Sequence, residues 1–257
     1  MTEEAGTILA ADGAPVAWRR HEGPADGRPG LVFCGGFRSS MAGEKAVFLD
    51  GFAADRGLSF LRFDYRGHGA SGGTFTDLVL GDWIADALLV LDRLTEGPQI
   101  LVGSSMGAWV ATQAALARPG RVAGLVGIAA APDFTEDLML PALSEMGRAR
   151  MRRHGFVDRP SAYGDGPYRI TRRLIEEARS HLLLRGPVPF AGPVRLLHGM
   201  ADPDVPWRQS LRLAEALSGP DVRLTLVKDG DHRLSRPQDL ALLGRAVEEV
   251  VTLASSE

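Results

Sequence analysis

The sequence predicts an α/β fold built on a mostly parallel sheet. Three observations predict it. Short continuous apolar runs such as Leu31-Val32-Phe33-Cys34 and Ile100-Leu101-Val102 read as strands buried on both faces. Helical patterns of 10–15 residues separate most of these runs, as βαβ units require. The chain is 257 residues long with 45% apolar residues, enough for one such domain with an insertion.

The elements follow in order. Thr7–Ala10 and Val16–Arg19 flank Asp12-Gly13, a turn pair that predicts an antiparallel hairpin. Leu31–Cys34 is the next strand and ends in the loop Gly35-Gly36-Phe37-Arg38-Ser39-Ser40. Residues 43–56 carry Ala46, Val47, Leu49, Phe52 and Ala53 at helical spacing, with Gly57 as C-cap. Leu58–Phe63 is a strand that enters Asp64-Tyr65-Arg66-Gly67-His68-Gly69. Asp77–Leu94 is a helix with Trp83, Ile84, Ala87, Leu88 and Leu91 turned to the core. The strand at 98–102 leads through Gly103-Ser104-Ser105-Met106-Gly107 into a helix that Arg118-Pro119-Gly120 closes. Val122–Ala129 is the sixth strand.

The alternation then breaks. Residues 133–190 offer no clear core strand, only helix-like stretches at Glu136–Met151 and Thr171–Leu184 around a Gly/Pro/Tyr-rich centre. This segment is expected to form a lid on a core made of 1–132 and 191–257. Its apolar residues Leu138, Met139, Leu140, Leu143, Met146 and Met151 suit either an acyl chain or packing onto the core. Its arginines 148, 150, 152 and 153 read as a solvated helix face, with attraction of an anionic substrate as the alternative. Strands resume at Val194–Leu197 and Asp221–Val227, with helices at Trp207–Leu217 and from Pro237 to about Leu253.

Composition narrows the partners. A net charge of −3 lacks the basic excess that nucleic-acid binding needs. One cysteine, Cys34, permits no internal disulfide and fits a reducing compartment. No apolar run reaches the length of a membrane span. The acidic N-terminus lacks the regions of a signal peptide, so a cytoplasmic protein is expected.

The chemistry centres on Ser105. Strand, G-x-S-x-G, helix is the context of a nucleophile elbow. The turn is so sharp that side chains at Gly103 and Gly107 would collide. The helix N-terminus behind the serine offers free N–H groups to an oxyanion. A serine needs a base to take its proton, and imidazole is matched to that task near neutral pH. His232, in a loop after the last strand, is the favoured base. His198 directly ends a strand before Gly199 and reads as structural. The base needs a carboxylate on its other nitrogen. Asp202 is preferred because it follows its strand sooner, and Asp204 is the competitor. Asp64 and His68 lie in a turn and read as structural. Backbone N–H groups of Phe37 and Met106 are the expected oxyanion donors. No His/Cys/Asp cluster has ligand spacing, so neither metal nor organic cofactor is expected.

Gly103-Ser104-Ser105-Met106-Gly107, Leu197-His198-Gly199-Met200-Ala201-Asp202 and Asp229-Gly230-Asp231-His232 resemble the three signature blocks of the α/β-hydrolases. Phe63–Ser71 is similar to that family's turn after an early strand. The resemblance implies an eight-stranded, mostly parallel sheet with helices on both faces and a lid inserted after the sixth strand. It assigns Ser105 as nucleophile, Asp202 as acid and His232 as base. More narrowly, residues 97–109 and Arg195–Met200 with Val205-Pro206-Trp207 are similar to mitochondrial serine hydrolases of animals that cleave acyl glucuronides and remove palmitoyl groups from cysteine. The expected activity is hydrolysis of a small-molecule ester or thioester, or of an acylated protein. Acyl transfer, peptide cleavage and non-catalytic ligand reception are the alternatives.

Overall fold

The computed structural model describes residues 2–160 and 166–255. Ten strands and seven α-helices lie along them. In chain order these are β1 (Glu4–Leu9), β2 (Pro15–His21), β3 (Gly30–Cys34), α1 (Glu44–Arg56), β4 (Phe60–Phe63), α2 (Leu80–Leu94), β5 (Gln99–Ser104), α3 (Met106–Ala117) and β6 (Val122–Ile128). The inserted segment follows with α4 (Glu145–His154), β7 (Phe156–Arg159), β8 (Tyr168–Thr171) and α5 (Arg172–Ala178). The chain ends with β9 (Val194–Gly199), α6 (Arg208–Ala216), β10 (Val222–Val227) and α7 (Pro237–Ala254).

Eight strands form one sheet in the order β1-β2-β4-β3-β5-β6-β9-β10. β2 pairs antiparallel with both β1 and β4, and every other pair is parallel. The carboxyl ends of β3, β5, β6, β9 and β10 therefore share one edge, where open α/β sheets hold their ligands. The α/β-hydrolase fold expected from the sequence is the fold observed.

The period of two in the strands explains the two cores. Leu31 and Phe33 of β3, with Ile100 and Val102 of β5, face a cluster completed by α1 and α7. Val32, Cys34 and Leu101 face the opposite cluster, built with α2, α3 and α6. α1 ends where Gly57 takes φ 65°, a left-handed cap that favours glycine.

Two expectations are corrected inside the inserted segment, and one element is added. The helix-like stretch Glu136–Met151 is broken: a single wide turn at Thr135–Met139 comes first, and α4 starts only at Glu145. Ser144 caps α4 by accepting a hydrogen bond from the Gly147 N–H at 3.1 Å. The stretch Thr171–Leu184 stops as an α-helix at Ala178 and passes into a 3₁₀ turn at Arg179–His181. The hairpin β7–β8 was not expected; it forms a separate two-stranded sheet. The centre of the predicted Gly/Pro/Tyr-rich stretch, residues 161–165, lies outside the described residues.

Candidate active site

Ser105 occupies the turn between β5 and α3 with φ 56° and ψ −117°. A non-glycine residue with positive φ stores strain, and strained residues cluster at functional sites. Neighbouring backbone fixes the turn: the Ser105 N–H donates to the Ile128 carbonyl at 2.8 Å, and the Ser105 carbonyl accepts from Ala108 at 3.0 Å and Ala131 at 3.2 Å. A Cβ on Gly103 would fall 2.5 Å from the Ala108 backbone, and one on Gly107 would fall 2.0 Å from the Cys34 carbonyl oxygen. Both glycines are sterically required, as the motif predicts.

The β3–α1 loop lies against this turn. A Cβ on Gly36 would be 3.6 Å from Cβ of Ser105. Among the described residues, the N–H groups of Phe37 and Met106 donate to no protein acceptor. Met106 sits at the first position of α3, where helix N–H groups lack intrahelical partners. The Phe37 ring is held edge-on by Phe75 at 5.0 Å, Phe134 at 5.6 Å, Trp83 at 5.9 Å and Tyr168 at 6.0 Å. These rings come from four separate parts of the chain, β8 of the insertion among them.

On the other side of the site, β9 and β10 bring Asp202 and His232 together. His232 Nδ1 lies 2.7 Å from Asp202 Oδ2. Oδ1 accepts from the backbone N–H groups of Asp204 and Val205, each at 2.8 Å. His198 Nε2 approaches Oδ2 at 3.2 Å. Burial alone would raise the Asp202 carboxyl, but the hydrogen bonds from His198 and His232 outweigh it and hold the group well below the usual carboxylate range. Asp202 is therefore a carboxylate, so Nδ1–H of His232 is the donor, and in the neutral imidazole Nε2 carries the lone pair. The Asp202 side chain is fully buried, while that of His232 keeps 19% of its exposure.

The loop under His232 is tightly built. A Cβ on Gly199 would fall 2.1 Å from the Gly230 carbonyl. Asp231 Oδ1 accepts from the N–H groups of Arg233 at 3.1 Å and Leu234 at 3.0 Å. Lys45 of α1 donates to the Arg233 carbonyl, and burial pulls its ammonium pKa down to about 8. Among the described residues no hydrogen bond joins the Ser105 hydroxyl to His232. Proton transfer requires a final approach of these two groups, which apo sites often leave open.

Asp204 contributes its backbone N–H to Asp202 and is not the carboxylate that meets Nδ1 of His232. Asp64 and His68 build a turn: Asp64 accepts from the N–H groups of Met41 at 2.6 Å and Ala70 at 2.8 Å, and His68 faces the Arg66 carbonyl. His198 is the residue that sequence reasoning set aside. The HGMAD spacing, four residues before Asp202, was the signal for it. Met139 and Met151 of the insertion pack into the core, whereas Met146 stands 84% exposed. Oxygen and nitrogen donors of Asp202, Asp204 and His232 lie within 4.8 Å of one another. Both Asp202 oxygens already accept two N–H bonds each, which suits an orienting carboxylate better than a metal ligand.

Comparison with known proteins decides the family. The model of the alpha/beta hydrolase family matches residues 31–242. This chain belongs to the alpha/beta hydrolase family. It is 41% identical over 244 residues to mouse "Palmitoyl-protein thioesterase ABHD10, mitochondrial", covering 94% of this chain and 80% of the relative. A crystal structure of a putative hydrolase from Agrobacterium vitis S4 superposes with a TM-score of 0.94 at 42% identity, covering 98% of this chain and all of that one (100%). The mouse alpha/beta hydrolase domain-containing protein 10 superposes with a TM-score of 0.88 at 39% identity, covering 97% of this chain and 98% of that one. No helix among the described residues is long and apolar enough to cross a membrane.

Proposed function

We propose that this alpha/beta hydrolase is a serine hydrolase that cleaves carboxylic esters or thioesters through an acyl-enzyme. The observation that carries the reading is the 2.7 Å bond between His232 Nδ1 and the Asp202 carboxylate, at the sheet edge that also presents Ser105. Ser105 Oγ attacks the acyl carbonyl as His232 Nε2 takes its proton. The N–H groups of Phe37 and Met106 receive the oxyanion. The imidazolium returns the proton to the leaving alcohol or thiol, then the imidazole activates water to release the acid. Asp202 holds the tautomer and stabilises the imidazolium.

The substrate class rests on the relatives. Mammalian proteins 38–41% identical to this chain are named palmitoyl-protein thioesterases, so acylated proteins and small acyl thioesters belong to the proposal. Residues 133–190 serve as the lid over the acyl group. The cytoplasm is the proposed compartment, which the single cysteine fits, although the same relatives are named as mitochondrial.

Turnover of p-nitrophenyl esters and of an acyl-coenzyme A, with labelling by a fluorophosphonate, tests the reading. Ser105→Ala should abolish turnover and labelling. Retained turnover in Ser105→Ala removes Ser105 as the nucleophile, and a wild-type protein that neither labels nor turns over is a binding protein.

A further inference from the structure

We propose that His198 is a positioning residue for Asp202, a second imidazole on the carboxylate that orients His232. This deepens the serine-hydrolase reading and rests on it.

The geometry begins with burial. His198 is the next-to-last residue of β9 and is fully buried, so each ring nitrogen needs a partner. Its Nε2 faces two acceptors, Asp202 Oδ2 at 3.2 Å and the Val205 carbonyl at 3.0 Å. A nitrogen between two acceptors must carry the proton. Nδ1 faces the Ser210 hydroxyl of α6 at 2.6 Å. Ser210 is also fully buried, and its O–H can donate to a bare Nδ1. The chain Ser210 O–H to Nδ1, then Nε2–H to Asp202, satisfies every group with His198 neutral.

Asp202 Oδ2 thus receives two imidazole N–H bonds, one from each side. The other titratable groups around it are His232 and Asp204, with Asp231 next to His232 in the same loop. Each donor to Oδ2 spreads carboxylate charge and lowers its affinity for a proton. His198 therefore keeps the Asp202 carboxylate from drawing the proton off His232 Nδ1, and it fixes the direction from which Oδ2 accepts. It also moderates how strongly Asp202 favours the imidazolium of His232. His198 touches no reacting atom. It acts through Asp202, which explains why a histidine rather than an apolar side chain sits next to the end of a buried strand.

The test compares His198→Leu, His198→Gln and Ser210→Ala with the wild type. The readouts are Tm, fluorophosphonate labelling of Ser105, and kcat and KM across pH. His198→Leu should lower kcat about tenfold with little change in KM, and move the acid limb of the kcat/KM profile upward by about half a unit or more. His198→Gln, whose amide can donate to Oδ2, should recover part of both. Ser210→Ala keeps the imidazole but removes the O–H that holds Nδ1 bare, so it should move the limb in the same direction by less. It also serves where His198→Leu does not fold. A lower Tm with an unmoved acid limb in the folded variants makes His198 structural only and overturns the proposal. Full activity in Asp202→Asn would overturn the hydrolase reading itself, which separates the two failures.

Discussion

Gly107 and Cys34 pack backbone to backbone: a β-carbon on Gly107 would lie 2.0 Å from the Cys34 carbonyl oxygen and 2.5 Å from that of Gly35. This contact seats the first turn of α3 against the loop that carries Phe37, and so sets the spacing of the two proposed oxyanion donors. Gly107→Ala forces backbone apart, because no flexible side chain can yield. The expected cost is about 2 kcal/mol of stability or more, with loss of most ester turnover. Urea unfolding and a p-nitrophenyl ester assay check both. A variant of wild-type stability and activity would show that the loop moves freely.

Ser105 makes a second prediction from backbone strain. Its φ of 56° suits glycine better than serine or alanine. Ser105→Ala and Ser105→Gly should be equally inactive. Only the glycine variant relieves the turn, and it should unfold about 1 kcal/mol later than the alanine variant, less whatever the unfolded chain gains in freedom. Equal midpoints in chemical denaturation would mean that the turn carries no strain.

The sequence made the sheet and the three carboxyl-end loops legible because both rest on local patterns. Apolar runs such as Leu31–Cys34 mark strands by themselves, and Gly103 and Gly107 mark a turn that only glycine can make. The insertion was harder for a physical reason. The β7–β8 hairpin pairs Phe156 with Thr171 and Arg159 with Tyr168, and it is short, half-exposed and free of an alternating pattern. Helix-forming residues at 136–151 hid a break that Pro141 and the Ser144 cap impose. His198 reads as structural in the sequence and is fully buried in the structure, but a position near a buried strand end does not say which groups its ring meets. The structure adds the bonds to Asp202 and Ser210.

Asp202 links activity to acid stability. Its folded-state pKa lies below the unfolded value of 3.8. The stability it contributes is therefore fully present above about pH 4. It is lost as pH falls below that value toward the folded-state pKa. Asp202→Asn should flatten this part of the stability–pH curve and lower kcat by roughly 10⁴ through the wrong imidazole tautomer. Asp204→Asn should do neither, because Asp204 meets Asp202 through its backbone N–H. Thermal melts between pH 2 and 7 beside steady-state kinetics decide it, and a crippled Asp204→Asn would reassign the acid.

Tyr168 tests whether the insertion supports the proposed oxyanion loop. Its ring meets the Phe37 ring edge-on at 6.0 Å, and the Arg38 guanidinium lies over it at 5.2 Å. Arg38 has φ 58°, so the loop just after Phe37 is itself strained and needs outside contacts to hold it. An edge-on aromatic pair contributes about 0.5–1.5 kcal/mol, and an exposed cation over a ring about 0.5–1 kcal/mol. Three further rings grip Phe37, so the loop keeps its place on average when Tyr168 is lost, but with more freedom. Tyr168→Leu should lower Tm by roughly 2–10 °C for a domain of this size, with the protein still folded at assay temperature. It should lower kcat about three- to thirtyfold, with KM for a short-chain ester little changed, because a looser donor stabilises the transition state more than the bound substrate. Tyr168→Phe retains the ring and should behave as wild type. A rise in KM with kcat untouched would instead make Tyr168 a wall of the acyl pocket, and its contact with Phe37 incidental.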